Sequence, residues 1–264
     1  MQRKVLKGLT ARDYVHPQEE KFRNGSDSGI VARALDLVSD LNAAVMRRIT
    51  LGKYVEVNAL TAPRLSRILE EVCQTLDFPE LPRLYVCHQA AQNAFCLGVE
   101  HKIICISDYM IHRFDDEMVR FMLGNLVGMF KGGHMQLANV CSLMLGGPEM
   151  LAFRLPLLAC LRAADLSSDR AGLLACQSFS GAARMILWEA GYPLEETLSL
   201  DEEELMAMCR AMVEETELIS PSWMNLAAAG ATKLTMEHMP PAFRLRELLE
   251  WYAGQYPVLM RRWK

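Results

Sequence analysis

Residues 83–106 read RLYVCHQAAQNAFCLGVEHKIICI. Three short runs of β-formers, Arg83–Cys87, Asn93–Leu97 and Lys102–Ile106, are separated here by turn-like segments, which predicts a small sheet of three or four strands. After Ser107 and Asp108 the pattern becomes helical and stays so to the end of the chain. Strands gathered in one block with helices following imply an α+β fold, mainly helical, rather than alternating βαβ units.

Working outward, the polar break Asn24–Gly29 separates an N-terminal arm, 1–29, from a single domain, 30–264. The domain is expected to open with a helix whose apolar positions are Ile30, Ala34, Leu37, Leu41 and Val45. An extended piece, Tyr54–Val57, follows, and then a helix with Thr61 as expected N-cap, Pro63 in its first turn and a buried stripe of Leu65, Ile68, Leu69, Val72 and Leu76. Further on, Asp201–Glu204 reads as a capped helix start whose acids complement the helix dipole.

With 264 residues, 51% apolar side chains and 23% charged, the chain can bury a core of its own, which excludes disordered and collagen-like classes. Lys and Arg number 28 against 32 acids, so there is no basic field for a nucleic acid backbone and no polybasic membrane tether. Eight cysteines stand singly, without a CxxC pair, which suits buried thiols in a reducing, cytoplasmic setting. The N-terminus starts basic but lacks the apolar run of about 7–15 residues that a signal peptide needs. The most apolar stretch, 140–161, is interrupted by Gly146-Gly147-Pro148-Glu149, Arg154 and Pro156, leaving nothing near the ~20 residues of a membrane span. It reads as a buried helical hairpin, with peripheral membrane contact the lesser alternative. Trp188, Trp223, Trp251 and Trp263 are too widely spaced to predict a stacking platform, and no phosphate loop, nucleotide fingerprint or serine elbow occurs.

Two segments of the helical half carry the chemistry: FMLGNLVGMFKGGHM, 121–135, and RAADLSSDRAGLLACQ, 162–177. Together they resemble the soluble branch of the gluzincin zinc peptidases that includes HtpX and the CAAX prenyl endopeptidases, where the helices read like LGHELGHIKSGH and ELSADRAGLLACQ. ARDYVHP, 11–17, Asn93-Ala94-Phe95, and RLRELLEWY, 244–252, extend the resemblance along nearly the whole chain. It implies a gluzincin-like fold with the small sheet beside the active-site helix.

The resemblance also implies a loss. A zincin needs two imidazoles four residues apart on one helix face, with a Glu beside the first as general base. Asn125 stands at the first His position, Leu126 at the Glu and Met129 at the second His, while Gly128 keeps the register. An amide and a thioether are poor zinc donors, and Leu126 cannot take a proton. The third ligand, a Glu in the family, is matched by Asp165, one methylene shorter, and the carboxylate behind the ligands by Asp169. This degenerate HExxH implies a pseudopeptidase from which zinc has been lost.

Met129 is expected to fill the volume left by metal and imidazole, within a cluster that also holds Met122, Met135, Met144 and Met150. His134 matches a further family His and reads as a scaffold residue; Asp165 and Asp169, spaced i, i+4, need a cation such as Arg162 or Arg170 between them. A rebuilt metal site would have to recruit His134, Asp165 and a cysteine. By resemblance, Asn93, Ala94 and Phe95 form an edge strand that takes an extended peptide, with Phe95 more a core residue than a contact. His238 matches a His-Pro motif that helps polarise the substrate carbonyl, with Met239 where a Pro is usual, and Arg244 matches the Arg that follows. The expected function is therefore the binding of a peptide or protein partner, including an active paralogous peptidase that the chain regulates or scaffolds. The alternatives are an active metallopeptidase with an unconventional site and a purely structural subunit.

Overall fold

The computed structural model describes residues 3–23, 54–88, 94–98, 101–135, 151–218 and 239–263, with the isolated residues 48 and 52. The expected helix from Ile30 to Val45, and residues 140–150 of the apolar stretch, lie outside them. The described elements are a 3-10 turn at Ala11–Asp13, α1 (Pro17–Arg23), β1 (Val55–Glu56), α2 (Pro63–Thr75), β2 (Arg83–Cys87), β3 (Ala94–Leu97), β4 (Ile103–Ser107), α3 (Asp108–Arg113), α4 (Asp116–Gly132), α5 (Leu151–Cys176), α6 (Phe179–Glu189), α7 (Leu194–Leu198), α8 (Glu202–Leu218), α9 (Pro241–Ala253) and α10 (Gln255–Met260). The fold is α+β and mainly helical.

The four strands form one mixed sheet in the order β1-β2-β4-β3. β4 is its buried centre, parallel to β2 with Tyr85 opposite Cys105, and antiparallel to β3 with Cys96 opposite Ile104. An uninterrupted apolar run suits a strand covered on both faces. Leu84, Cys96, Ile104 and Ile106 face the helical core, whereas Tyr85, Ile103 and Cys105 form a small second cluster with Phe95 and Leu97 on the opposite face. β3 is at the edge, and among the described residues no strand pairs with its outer side.

α2 buries the expected stripe, but its N-cap is Ala62, not Thr61. The Thr61 hydroxyl is taken by the preceding loop, donating to the Glu56 carbonyl at 2.7 Å and accepting from the Asn58 N–H at 2.9 Å. α8 starts with a reciprocal capping box, Asp201 and Glu204 each accepting the other's backbone N–H. The arm is part of the core: Leu6, Leu9 and Tyr14 are fully buried, and the Tyr14 hydroxyl donates to the Gly128 carbonyl.

α4 and α5 form the central helix pair. α4 is capped by Asp115, which accepts from the Met118 N–H, and stops at Gly133 in the left-handed region with φ 72°. α5 runs without a break from Leu151 through position 156. No described helix is long and apolar enough to cross a membrane. The pair touches at small residues. A Cβ on Gly124 would lie 2.3 Å from the Ala175 Cβ, one on Gly128 2.4 Å from the Ala171 Cβ, and one on Gly172 2.8 Å from the Phe121 carbonyl oxygen. Such approach fixes the register of the two helices, and with it the placement of Asn125 beside Asp169.

Candidate functional site

Asn125 and Asp169 meet across the α4–α5 seam. The Asn125 amide donates to Asp169 Oδ1 at 2.9 Å, and Asp169 is itself 1% exposed. The cation on Asp169 is Arg244, from α9, while the charge of Asp165 acts on Arg162 as expected. The Arg244 Nε donates to Asp169 Oδ2 and its Nη2 to Oδ1, both at 2.7 Å, a bidentate clamp, while its third nitrogen pairs with Glu189 at the end of α6. Burial pushes the Asp169 carboxyl upward, opposed by the charge and hydrogen bonds of Arg244. Although burial works against its charge, Arg244 is held protonated by Asp169 and Glu189, well above its ordinary range. Arg170 instead donates to the Val15 carbonyl and lies over the Trp251 ring, burial lowering it to about 10.

Asp165, one turn earlier on α5, accepts the backbone N–H of Met239 at 2.9 Å. A proline at 239 would have no N–H to give. Leu126 is buried in the main core, and Met129 packs half-buried against it, its Sδ 3.9 Å from the Cys96 thiol. Of the other expected site residues, Ala94 and Phe95 lie on β3, Phe95 on the sheet face away from α4. Asn93 and His238 lie outside the described residues.

His134 is buried directly after α4. Its Nε2 meets Glu19 Oε1 at 2.8 Å and its Nδ1 lies 3.5 Å from the Ser168 hydroxyl; Glu19 also accepts from the Ser167 hydroxyl. Gly132 makes room for the ring, since a Cβ there would stand 2.5 Å from His134 Cε1. Ser168, His134 and Glu19 form a hydroxyl, imidazole and carboxylate relay in outline, yet they are 1%, 4% and 1% exposed, so no substrate carbonyl can reach the hydroxyl. The relay ties α1 to α5. A second such tie joins His16 to α9: the Gln18 N–H donates to His16 Nδ1, leaving the Nε2 proton for Glu247 at 3.0 Å.

These engagements decide the fit to zinc. The two positions that supply imidazoles in a zincin hold an amide committed to Asp169 and a thioether, Asp165 is occupied by a backbone donor, and Asp169 is neutralised by Arg244. The residues present do not fit zinc. Nor do His134, Asp165 and a cysteine come together: among the described residues no group of three His, Cys, Asp or Glu could hold a metal ion.

Glu19, Glu189, Met239 and Cys96 are the partners that motif reading missed. Met239 alone carried a signal, as a departure from the usual Pro. The others are brought in from distant parts of the chain.

No family model matches the chain, and no solved structure matches it. It is 24% identical over 278 residues to plastoglobule-localized metallopeptidase 48, chloroplastic, of Arabidopsis thaliana, the match covering 98% of this chain and 78% of that protein. Similarity over nearly the whole chain supports a metallopeptidase-like family.

Proposed function

We propose that this protein is a catalytically inactive homologue of the HtpX and CAAX prenyl endopeptidase type of gluzincin, a pseudopeptidase that binds a peptide or protein partner in place of cleaving it. The observation that carries the reading is the closed set of bonds Asn125–Asp169–Arg244, with Asp165 tied to Met239, at the positions where relatives hold and orient their metal. Hydrolysis of an amide by this fold requires a metal-activated water and a carboxylate base, and Leu126 supplies no base. Among the described residues no strand pairs with the outer side of β3, which supports the binding half of the reading, because an extended segment gains main-chain hydrogen bonds by adding to such an edge. The partner in this reading is an active paralogous peptidase, met in a reducing cytoplasmic compartment, whose activity the chain supports or restrains.

Metal content comes first. Protein purified without chelator or metal resin is expected to contain essentially no zinc by plasma mass spectrometry and to leave peptides uncleaved. About one zinc per chain with chelator-sensitive cleavage would overturn the proposal. Binding is tested separately with fluorescent extended peptides, whose affinity should depend on alternate backbone amides, lost on N-methylation at every second residue, and should fall in Asn93→Ala and His238→Ala. Affinity indifferent to backbone methylation and to both substitutions leaves a structural subunit as the function.

Restoring the motif tests the packing side. The triple variant Asn125→His, Leu126→Glu, Met129→His should be about 2–5 kcal/mol less stable than wild type in urea without metal, because Leu126 leaves the core and a carboxylate enters it. A more stable apo form contradicts the idea that packing has replaced the metal.

A further inference from the structure

Three sulfur atoms converge beside the former active helix from three separate stretches of chain. Cys96 comes from β3, Met129 from the last turn but one of α4, and Met135 from the segment that follows it. The Cys96 thiol donates to Met135 Sδ at 3.0 Å, and Met129 Sδ lies 3.9 Å from the same sulfur. Cys96 and Met135 are 8% and 3% exposed, and Met129 is half-buried. Hard cations reject an all-sulfur set, and its two neutral thioethers beside one thiolate favour soft, monovalent Cu(I) over zinc, which takes thiolates and imidazoles.

We propose that Cys96, Met129 and Met135 form a three-coordinate sulfur site for Cu(I). The ion replaces the thiol proton, which leaves to solvent; the thiolate and one lone pair from each thioether complete the coordination, and no electron is transferred. Burial pushes the Cys96 thiol up to about 12, so the free protein carries the proton and affinity for the ion rises with pH. A bound ion would pin the edge strand β3 to α4. The site is independent of the peptide-binding reading, since it needs neither the outer side of β3 nor a partner.

The test is anaerobic titration of the full chain with Cu(I) in competition with a chromogenic Cu(I) chelator, with X-ray absorption on the loaded protein. One ion per chain in an all-sulfur, three-coordinate shell is expected. Met129→Leu and Met135→Leu conserve volume and so keep the fold; each should weaken binding tenfold or more. Cys96→Ser should abolish the site, and Met122→Leu, at a buried methionine of α4 that is not one of the three proposed ligands, should leave it unchanged. Failure to compete with the chelator, a two-coordinate thiolate-only centre at other cysteines, or wild-type affinity in both Met→Leu variants would each overturn the proposal.

Discussion

The backbone N–H of Met239 donates to the carboxylate of Asp165 at 2.9 Å. Two residues that differ from the zinc-peptidase segments this chain resembles meet in that bond. In the proposed reading Asp165 stands at the position of the third metal ligand and Met239 at that of a proline, which has no N–H. On that reading each makes sense of the other: the carboxylate takes a donor in place of a metal, and only a residue other than proline can offer one at position 239.

Met239→Pro should therefore cost about 1–2 kcal/mol by urea unfolding, within the range for a hydrogen bond to a charged group and reduced by the partial exposure of Asp165. Asp165→Asn keeps an acceptor and should cost less. Equal stability of Met239→Pro and wild type would show that the bond is not formed in solution.

The Arg244 clamp predicts a larger effect. Arg244→Met leaves Asp169 buried beside Glu189 without its cation, and breaking a buried pair from one side costs about 3–5 kcal/mol. Asp169→Leu in the same chain removes the stranded charge, so the double variant should be more stable than the sum of the single losses predicts. Strict additivity would mean that the two groups do not interact.

Gly128→Ala places a methyl 2.4 Å from the Ala171 Cβ, and α4 and α5 must separate to admit it. A net loss of about 1–3 kcal/mol is expected despite the helix propensity gained, on the usual cost of overpacking. Ala171→Gly in the same chain opposes it and should recover part of the loss. Stabilisation by Gly128→Ala alone would refute the close seam.

What was legible in the sequence is what local period encodes. The β-former run Arg83–Cys87 coincides with β2, and the apolar period from Leu65 to Leu76 with the buried stripe of α2. Thr61 is not the cap because its hydroxyl has two acceptable uses and the loop before the helix takes it. The site's bonding was not legible, because it is made over distance: Arg244 and Asp169 are 75 positions apart, and His134 and Glu19 are 115. Leu6, Leu9 and Tyr14 are core residues in a polar stretch without helical or strand period, so nothing near them signals burial.

The buried imidazole of His16 gives a pH dependence with a definite sign. Burial lowers its pKa below the ordinary 6.5, and Arg170 adds to this, while Glu247 and Glu19 pull the other way without prevailing. Between its folded value and 6.5 the unfolded chain holds more protons, so stability rises with pH across that window. The contribution is complete above pH 6.5 and is lost as the pH falls. Glu247 acts in the same direction at lower pH: burial alone would raise its pKa, but its hydrogen bonds to His16 and Arg246 bring it below 4.5. His16→Gln, which can still donate to Glu247 but does not titrate, should therefore be least stable relative to wild type near pH 7.5, and the gap should narrow toward pH 5. Urea unfolding at the two pH values measures the gap directly, and a gap that widens in acid would mean that His16 is stabilised as the cation in the folded protein.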